Sequence, residues 1–125
     1  MTDSISTPNA LVQTTNGKRF YVNSGVVSVG SGETTMIEIA NIGERDIKLA
    51  YAVGAADNSN ADTLLKVYSN NIVIFNDKSD TTGTYVSLSR SDFKIILPSN
   101  TSLKITLTGG GAAVNWTVAG YGKYV

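Results

Sequence analysis

The chain contains neither histidine nor cysteine, and with them go the usual general base, the thiolate nucleophile and the commonest transition-metal ligands. Serine and threonine are plentiful, yet no imidazole is present to activate a hydroxyl and no Gly-x-Ser-x-Gly elbow occurs. The 10 Asp and Glu side chains leave room for a glycosidase-type carboxylate pair, but sequence alone gives no way to place two of them at the required separation. Val29-Gly30-Ser31-Gly32-Glu33-Thr34-Thr35 has the glycine content of a phosphate loop without its lysine, and a strand pattern follows where a phosphate-holding helix would be needed. It reads as a turn, and Gly109-Gly110-Gly111 reads as a flexible hairpin tip. Asp57, Asn58, Asn60 and Asp62 form an oxygen-rich loop of the kind that can hold calcium, and Asp77 and Asp80 lie in a second. Both lack the EF-hand spacing and read as solvated loops. The expectation is a chain that is not an enzyme, with no catalytic residue, no metal ligand and no cofactor.

Aromatic side chains are the remaining candidates. Trp116 with Tyr51, Tyr68, Tyr85, Tyr121 and Tyr124 suggests a sugar-stacking platform, but Trp116 shares its face with Val114 and Val118 and therefore belongs to a core. Tyr121 and Tyr124 flank Gly122 and suit a subunit interface, where tyrosine offers apolar area with a hydrogen-bonding tip.

The elements that would position these residues are strands. Period-2 alternation is clear in Thr34 to Asn41 and in Asp46 to Val53, and Asn41-Ile42-Gly43-Glu44 between them predicts a hairpin. Asn16-Gly17 is a turn before a strand at Lys18 to Asn23, and Val26, Val27 and Val29 make another that ends at Gly30-Ser31-Gly32. Ala61, Leu64, Leu65 and Tyr68 also fit a one-turn helix behind Asn60, but Val67 and Tyr68 favour a strand that turns at Ser69-Asn70-Asn71 into Ile72 to Phe75. A short strand at Tyr85 to Leu88 precedes a tight turn over Ser89 to Asp92. From Phe93 to Val125, three alternating segments separated by Pro98-Ser99-Asn100 and the triple glycine read as a closing β-meander. Its inward row is Phe93, Ile95, Leu97, Leu103, Ile105, Leu107, Val114, Trp116 and Val118.

About nine short strands with turn signals every 8 to 12 residues predict an all-β fold, an antiparallel β-sandwich, with a jelly roll preferred over an immunoglobulin-like arrangement. Residues 1–16, polar with only Ile5, Leu11 and Val12 as anchors, read as an extended N-terminal arm that can lie on a neighbouring subunit, and residues 17–125 as one sandwich domain. Lys plus Arg equal Asp plus Glu at 10 each, so no global field draws in nucleic acid or an anionic membrane, and a neutral surface tolerates self-association. Met1 to Asn16 carries no basic start followed by a long apolar run, and no stretch approaches the roughly 20 apolar residues of a membrane helix. Without disulfides, stability must come from packing and partner chains, which suits an intracellular or virion setting.

Ile96-Leu97-Pro98-Ser99-Asn100-Thr101-Ser102-Leu103-Lys104-Ile105-Thr106-Leu107, a glycine turn, and Val114-Asn115-Trp116-Thr117-Val118-Ala119-Gly120-Tyr121 together resemble the ending of small virion proteins of tailed bacteriophages. Ser28-Val29-Gly30-Ser31-Gly32-Glu33-Thr34-Thr35 through Ile42-Gly43 is similar to their opening. The resemblance spans residues 26 to 121, with nothing recognisable in Gly54 to Thr84. It implies a β-sandwich head-decoration or cement protein, oligomeric and frequently trimeric. Such a protein is assembled in the host cytoplasm and bound to the major capsid protein on the outer surface of the virion. There it stabilises the shell without catalysis, and no site residue is carried over. Two alternatives stand beside it: a carbohydrate- or receptor-binding module of a phage tail fibre or appendage, and a lectin-like accessory domain or small hydrolase built on a carboxylate pair.

Overall fold

Along Thr63–Ser69 buried and half-buried residues alternate without a break, and a nearly unbroken alternation runs through Val114–Tyr124. Strands that bury one face in this way must stack against a second sheet. The computed structural model describes residues 11–15, 19–55, 63–79, 87–111 and 113–125. They form β1 (Leu11–Thr15), β2 (Arg19–Val29), β3 (Glu33–Ile39), β4 (Ile47–Ala55), β5 (Thr63–Ser69), β6 (Ile72–Ser79), β7 (Ser87–Leu97), β8 (Leu103–Thr108) and β9 (Val114–Tyr124). A five-stranded sheet has the order β1-β2-β9-β4-β7 and a four-stranded sheet the order β3-β8-β5-β6.

Every pairing is antiparallel, and β2 pairs with β9, β3 with β8, β4 with β7 and β5 with β6. The chain is thus one long hairpin doubled back at its middle and rolled so that successive pairs fall in alternate sheets. That is a jelly roll, and the immunoglobulin-like alternative does not describe it. The tip of the long hairpin is the two-residue turn Asn70-Asn71 between the paired Ser69 and Ile72, with φ of 50° and 65°. Both central residues of such a turn need positive φ, which asparagine tolerates better than most side chains. Asn70 also accepts from the Ser102 amide at 2.9 Å through Oδ1 and donates its own amide to Ser102 Oγ at 3.0 Å, so the tip is tied to the start of β8. The segment that also fitted a helical turn is β5, a strand.

Rolling overturns two expectations. The expected hairpin of Thr34 to Asn41 with Asp46 to Val53 does not form: β3 and β4 lie in opposite sheets, and the segment between them crosses the sandwich. Ile42 is buried in that crossing and donates its amide to the Thr101 carbonyl at 2.9 Å, while Asn100 donates to the Gly43 carbonyl at 2.7 Å. The closing meander is likewise three strands in alternating sheets, so Pro98-Ser99-Asn100 and the glycine run are corners and not hairpin turns. Gly109 donates its amide to the Gly30 carbonyl at 2.8 Å, and a Cβ at position 109 would stand 2.7 Å from that oxygen. Two corners therefore meet where only glycine fits. Alternation tells which face of a strand is buried and is silent on which strand lies beside it.

Two irregularities set the outer face of the larger sheet. On β2 the register slips between Asn23 and Val26, with Gly25 at φ 69°. Ser24 is fully buried there, and its Oγ accepts the Val118 amide at 2.9 Å, replacing a ladder bond that the bulge removes. The two strands expected around residues 18–23 and 26–29 are consequently one strand of 11 residues. On β7, Leu49 pairs with Ile95 but Tyr51 with Arg90, so residues 91–94 bulge out of the ladder at the place where a tight turn was expected.

Residues 1–10 of the expected arm lie outside the described residues. Leu11–Thr15, the end of the expected arm, form an edge strand paired with β2. Between the sheets the core contains Val22, Leu49, Val67, Leu97, Ile105 and Val118, all without exposure, with Trp116 at 1%. Fully burying such side chains contributes about 1.5 to 3 kcal/mol each.

Candidate binding face

Two polar clusters come first, one around the buried Tyr51 and one at the surface, because each holds a hydrogen-bonded carboxylate. Tyr51, fully buried on β4, donates its phenol to Asp77 Oδ2 at 2.6 Å, with the Phe75 ring 6.1 Å away and the Arg90 guanidinium 4.7 Å above that ring. Burial first, and then the hydrogen bond to Asp77, push the Tyr51 phenol well above its ordinary range. On the outer side of the smaller sheet, Glu33 Oε2 accepts from the Tyr68 phenol at 2.5 Å and from Thr106 Oγ1 at 2.7 Å, with Lys104 Nζ 4.5 Å over the Tyr68 ring. Those two hydrogen bonds, Tyr68 first, hold the Glu33 carboxyl below its ordinary value and raise Tyr68 in turn. Each of these two carboxylates accepts hydrogen bonds from neutral donors on other strands. They act as fasteners between strands.

The candidates named from sequence are dispersed. Asp57, Asn58, Asn60, Asp62, Asp80 and Tyr85 lie outside the described residues. Asp77 lies on a strand, bound to Tyr51, and no group of three or more potential metal-ligating side chains occurs among the described residues. Trp116 is core, as its neighbours Val114 and Val118 indicated. Tyr121 and Tyr124 separate: Tyr124 turns toward Phe20, edge to face at 6.4 Å, while Tyr121 stands on the outer face of the larger sheet. Ser91 and Lys94, a Ser-x-x-Lys spacing that sequence reasoning overlooked, are both exposed on the β7 bulge and not on a helix.

That outer face is where side chains converge. Arg19 on β2 is directly opposite Lys123 on β9, and Lys123 is directly opposite Lys48 on β4. One step along, Tyr21 is opposite Tyr121, which is opposite Ala50. The β7 bulge completes this second row. Phe93, with φ 57°, leaves its expected inward place and packs edge to face on Tyr121 at 5.8 Å, with Lys123 Nζ 4.5 Å over its ring. Ala50 shares the face with exposed Lys48 and Ala52 yet is fully buried, so the aromatic row roofs the sheet at this point. The result is a groove of about 500 Å³ lined by Arg19, Tyr21, Phe93, Tyr121 and Lys123. Among the described residues no carboxylate pairs with Arg19, Lys48 or Lys123. Sequence reasoning missed Arg19, Tyr21, Lys48, Lys123 and the outward turn of Phe93. The Arg19-x-Tyr21 and Tyr121-x-Lys123 spacings put a cation and an aromatic on one face of each strand, but only the β2–β9 pairing joins them.

No protein-family model matches the chain, and no curated protein matches it. Solved structures do share its fold. Subunits of the Bacillus endospore appendages, a family of disulfide-linked pili, superpose with a TM-score of 0.51 at 16% identity, over 92% of this chain and 96% of that one. The Yersinia pseudotuberculosis-derived mitogen gives 0.52 at 20% identity, over 90% and 85%. The VP2 subviral particle protein of infectious bursal disease virus gives 0.52 at 12% identity, over 96% of this chain and 34% of that one.

Proposed function

We propose that this chain is a non-catalytic structural protein of a phage virion, a decoration subunit that attaches beside copies of itself to the outside of the capsid and stabilises the shell. The observation that carries this reading is the outer edge of β6, which pairs with no further strand among the described residues. Ile72, Val73 and Ile74 are 66%, 40% and 41% exposed on the outermost strand of the smaller sheet. An edge strand presents unpaired backbone groups, and proteins that stay monomeric guard such edges with charge, proline or bulges. The other edges whose side chains are described follow that rule: β3 carries Glu33 and Glu38, and β7 carries Arg90, Asp92, Lys94 and its wide bulge. The first half of β6 has one of these guards, a bulge at Ile74, but no charge and no proline, and its exposed apolar side chains fit an edge covered by another chain.

The neutral charge balance supports the same reading, since it adds no repulsion between packed copies. Proteins of pili and of a viral subviral particle share this fold, over 96% of the former chain and 34% of the latter, which supports the reading at the level of fold. In the proposal the partners are the major capsid protein and further copies of this chain, as a trimer. The test is to add the chain to purified, undecorated capsid shells of the phage that encodes it. Co-sedimentation with the shells and a higher temperature of shell disruption are expected. A chain that stays in the supernatant contradicts the proposal.

A further inference from the structure

We propose that the outer face of the five-stranded sheet is a binding site for an acidic saccharide, a short run of pyranose rings carrying carboxylate or sulfate. The inference stands apart from capsid attachment, since it rests on a different sheet from the β6 edge.

Three cations in register are the first observation. Arg19, Lys123 and Lys48 stand directly opposite one another on adjacent strands, with no carboxylate paired to any of them among the described residues. Like charges directly opposite on a sheet are destabilising, so the row is a cost that an anion lying across it would relieve. At about 4.8 Å between strands, the three positions span roughly 10 Å.

The aromatic row is the second. Tyr21, Tyr121 and Phe93 run parallel to the cations, two residues or about 6.8 Å along the strands. Pyranose rings present an apolar C–H face that packs on aromatic rings and a polar rim that needs hydrogen bonds. The groove of about 500 Å³ falls in the range of ligand-binding clefts and joins both kinds of surface.

Pre-organisation is the third. The Gly25 amide donates to Asn23 Oδ1 at 2.7 Å, and Asn23 Nδ2 donates to the Tyr21 phenol oxygen at 3.0 Å. The Tyr21 ring is thereby oriented, and its phenolic proton is left to donate to a ligand. Phe93 is similarly fixed by its edge contact with Tyr121 and by the positive φ of the bulge.

Charge and backbone chemistry separate this ligand from its competitors. Single-stranded nucleic acid also uses stacking and cations, but its affinity grows with the number of phosphates neutralised, and three cations on a chain of zero net charge supply few. An acidic peptide adding as a strand needs a free sheet edge, whereas β2, β9 and β4 are paired on both sides.

Titration calorimetry on the full chain at low and moderate salt tests the site with four probes: a sulfated heparin tetrasaccharide, a tetragalacturonate, neutral maltotetraose, and an oligothymidylate matched in charge. Binding of at least one acidic saccharide is expected; binding of tetragalacturonate shows that carboxylate suffices, and binding of the heparin fragment alone, which carries both groups, shows that sulfate is needed. Maltotetraose and oligothymidylate should bind at least 10-fold more weakly. The triple variant Arg19→Gln, Lys48→Gln, Lys123→Gln should lose binding at least 10-fold with an unchanged circular dichroism spectrum. Because the three side chains are solvent-facing, its fold should survive; if it does not, Lys123→Gln alone is read against the same threshold. Silence toward both acidic saccharides, equal binding of maltotetraose, tighter binding of oligothymidylate, or unchanged affinity in the folded variant overturns the proposal.

Discussion

The β2 bulge is the hinge on which the binding face turns, and Ser24 is its most exacting point. Before the slip, Phe20, Val22 and Ser24 face inward while Arg19, Tyr21 and Asn23 face out; after it, Val27 and Val29 face inward while Val26 and Ser28 face out. One extra residue changes the parity of the strand, and without it either the valines or the cation and tyrosine would point the wrong way. Ser24 Oγ holds this arrangement by accepting the buried Val118 amide at 2.9 Å. In Ser24→Ala that amide loses its partner in a place without solvent access, which costs about 1 to 3 kcal/mol. For a domain of this size, 2 kcal/mol lowers Tm by roughly 6 to 10 °C. Differential scanning calorimetry should show that loss, against a negligible change for Ser28→Ala, whose side chain is exposed four residues along the same strand. A Ser24→Ala protein within about 0.5 kcal/mol of the parent would refute the account of the bulge.

Removing one member of the cation row should stabilise the chain. Lys48→Gln is expected to add about 0.2 to 1 kcal/mol at low ionic strength, a gain seen in urea titrations that fades by about 1 M salt. Glu33 predicts an acid limb. Its carboxyl is held below its ordinary value of 4.5 in the folded chain, so the associated stability is present above that value and is lost as pH falls through the lower folded value. Tyr68→Phe, which removes the principal hydrogen bond, should flatten the stability profile below about pH 4.5 in chemical denaturation, and an unchanged profile would count against that assignment. Val73→Lys puts a charge on the open edge of β6 and should shift the chain toward monomer in light scattering without lowering Tm by more than a degree or two; undiminished association would move the interface elsewhere.

Much of the fold is written in alternation. Thr63–Ser69, Leu103–Thr108 and Val114–Tyr124 show their buried faces in sequence, and Asn70-Asn71 marks the two-residue turn that doubles the chain back. Partnership is a different matter. Asn41 to Gly43 has the residues of a hairpin turn, yet what decides its path is Ile42, which is pulled into the core and bonded to Thr101, 59 positions away by number (101 − 42). A corner between sheets and a turn within one sheet use the same glycines and asparagines, because both need positive φ or close approach. The binding face was hidden for the same reason. Arg19 and Tyr21 stand about a hundred residues from Tyr121 and Lys123, and no local pattern announces that β2 and β9 are neighbours. Phe93 was misplaced because period-2 counting runs straight through a bulge that it cannot detect.

Quantitative mass spectrometry of purified particles of the encoding phage tests the structural role most directly. A decoration subunit should be present in a number commensurate with the symmetry of the shell, as a multiple of the copies of the major capsid protein's local cluster, and should leave the particle when the β6 edge carries Val73→Lys. Absence from the particle, or a handful of copies at a single vertex or tail, contradicts the capsid-decoration account.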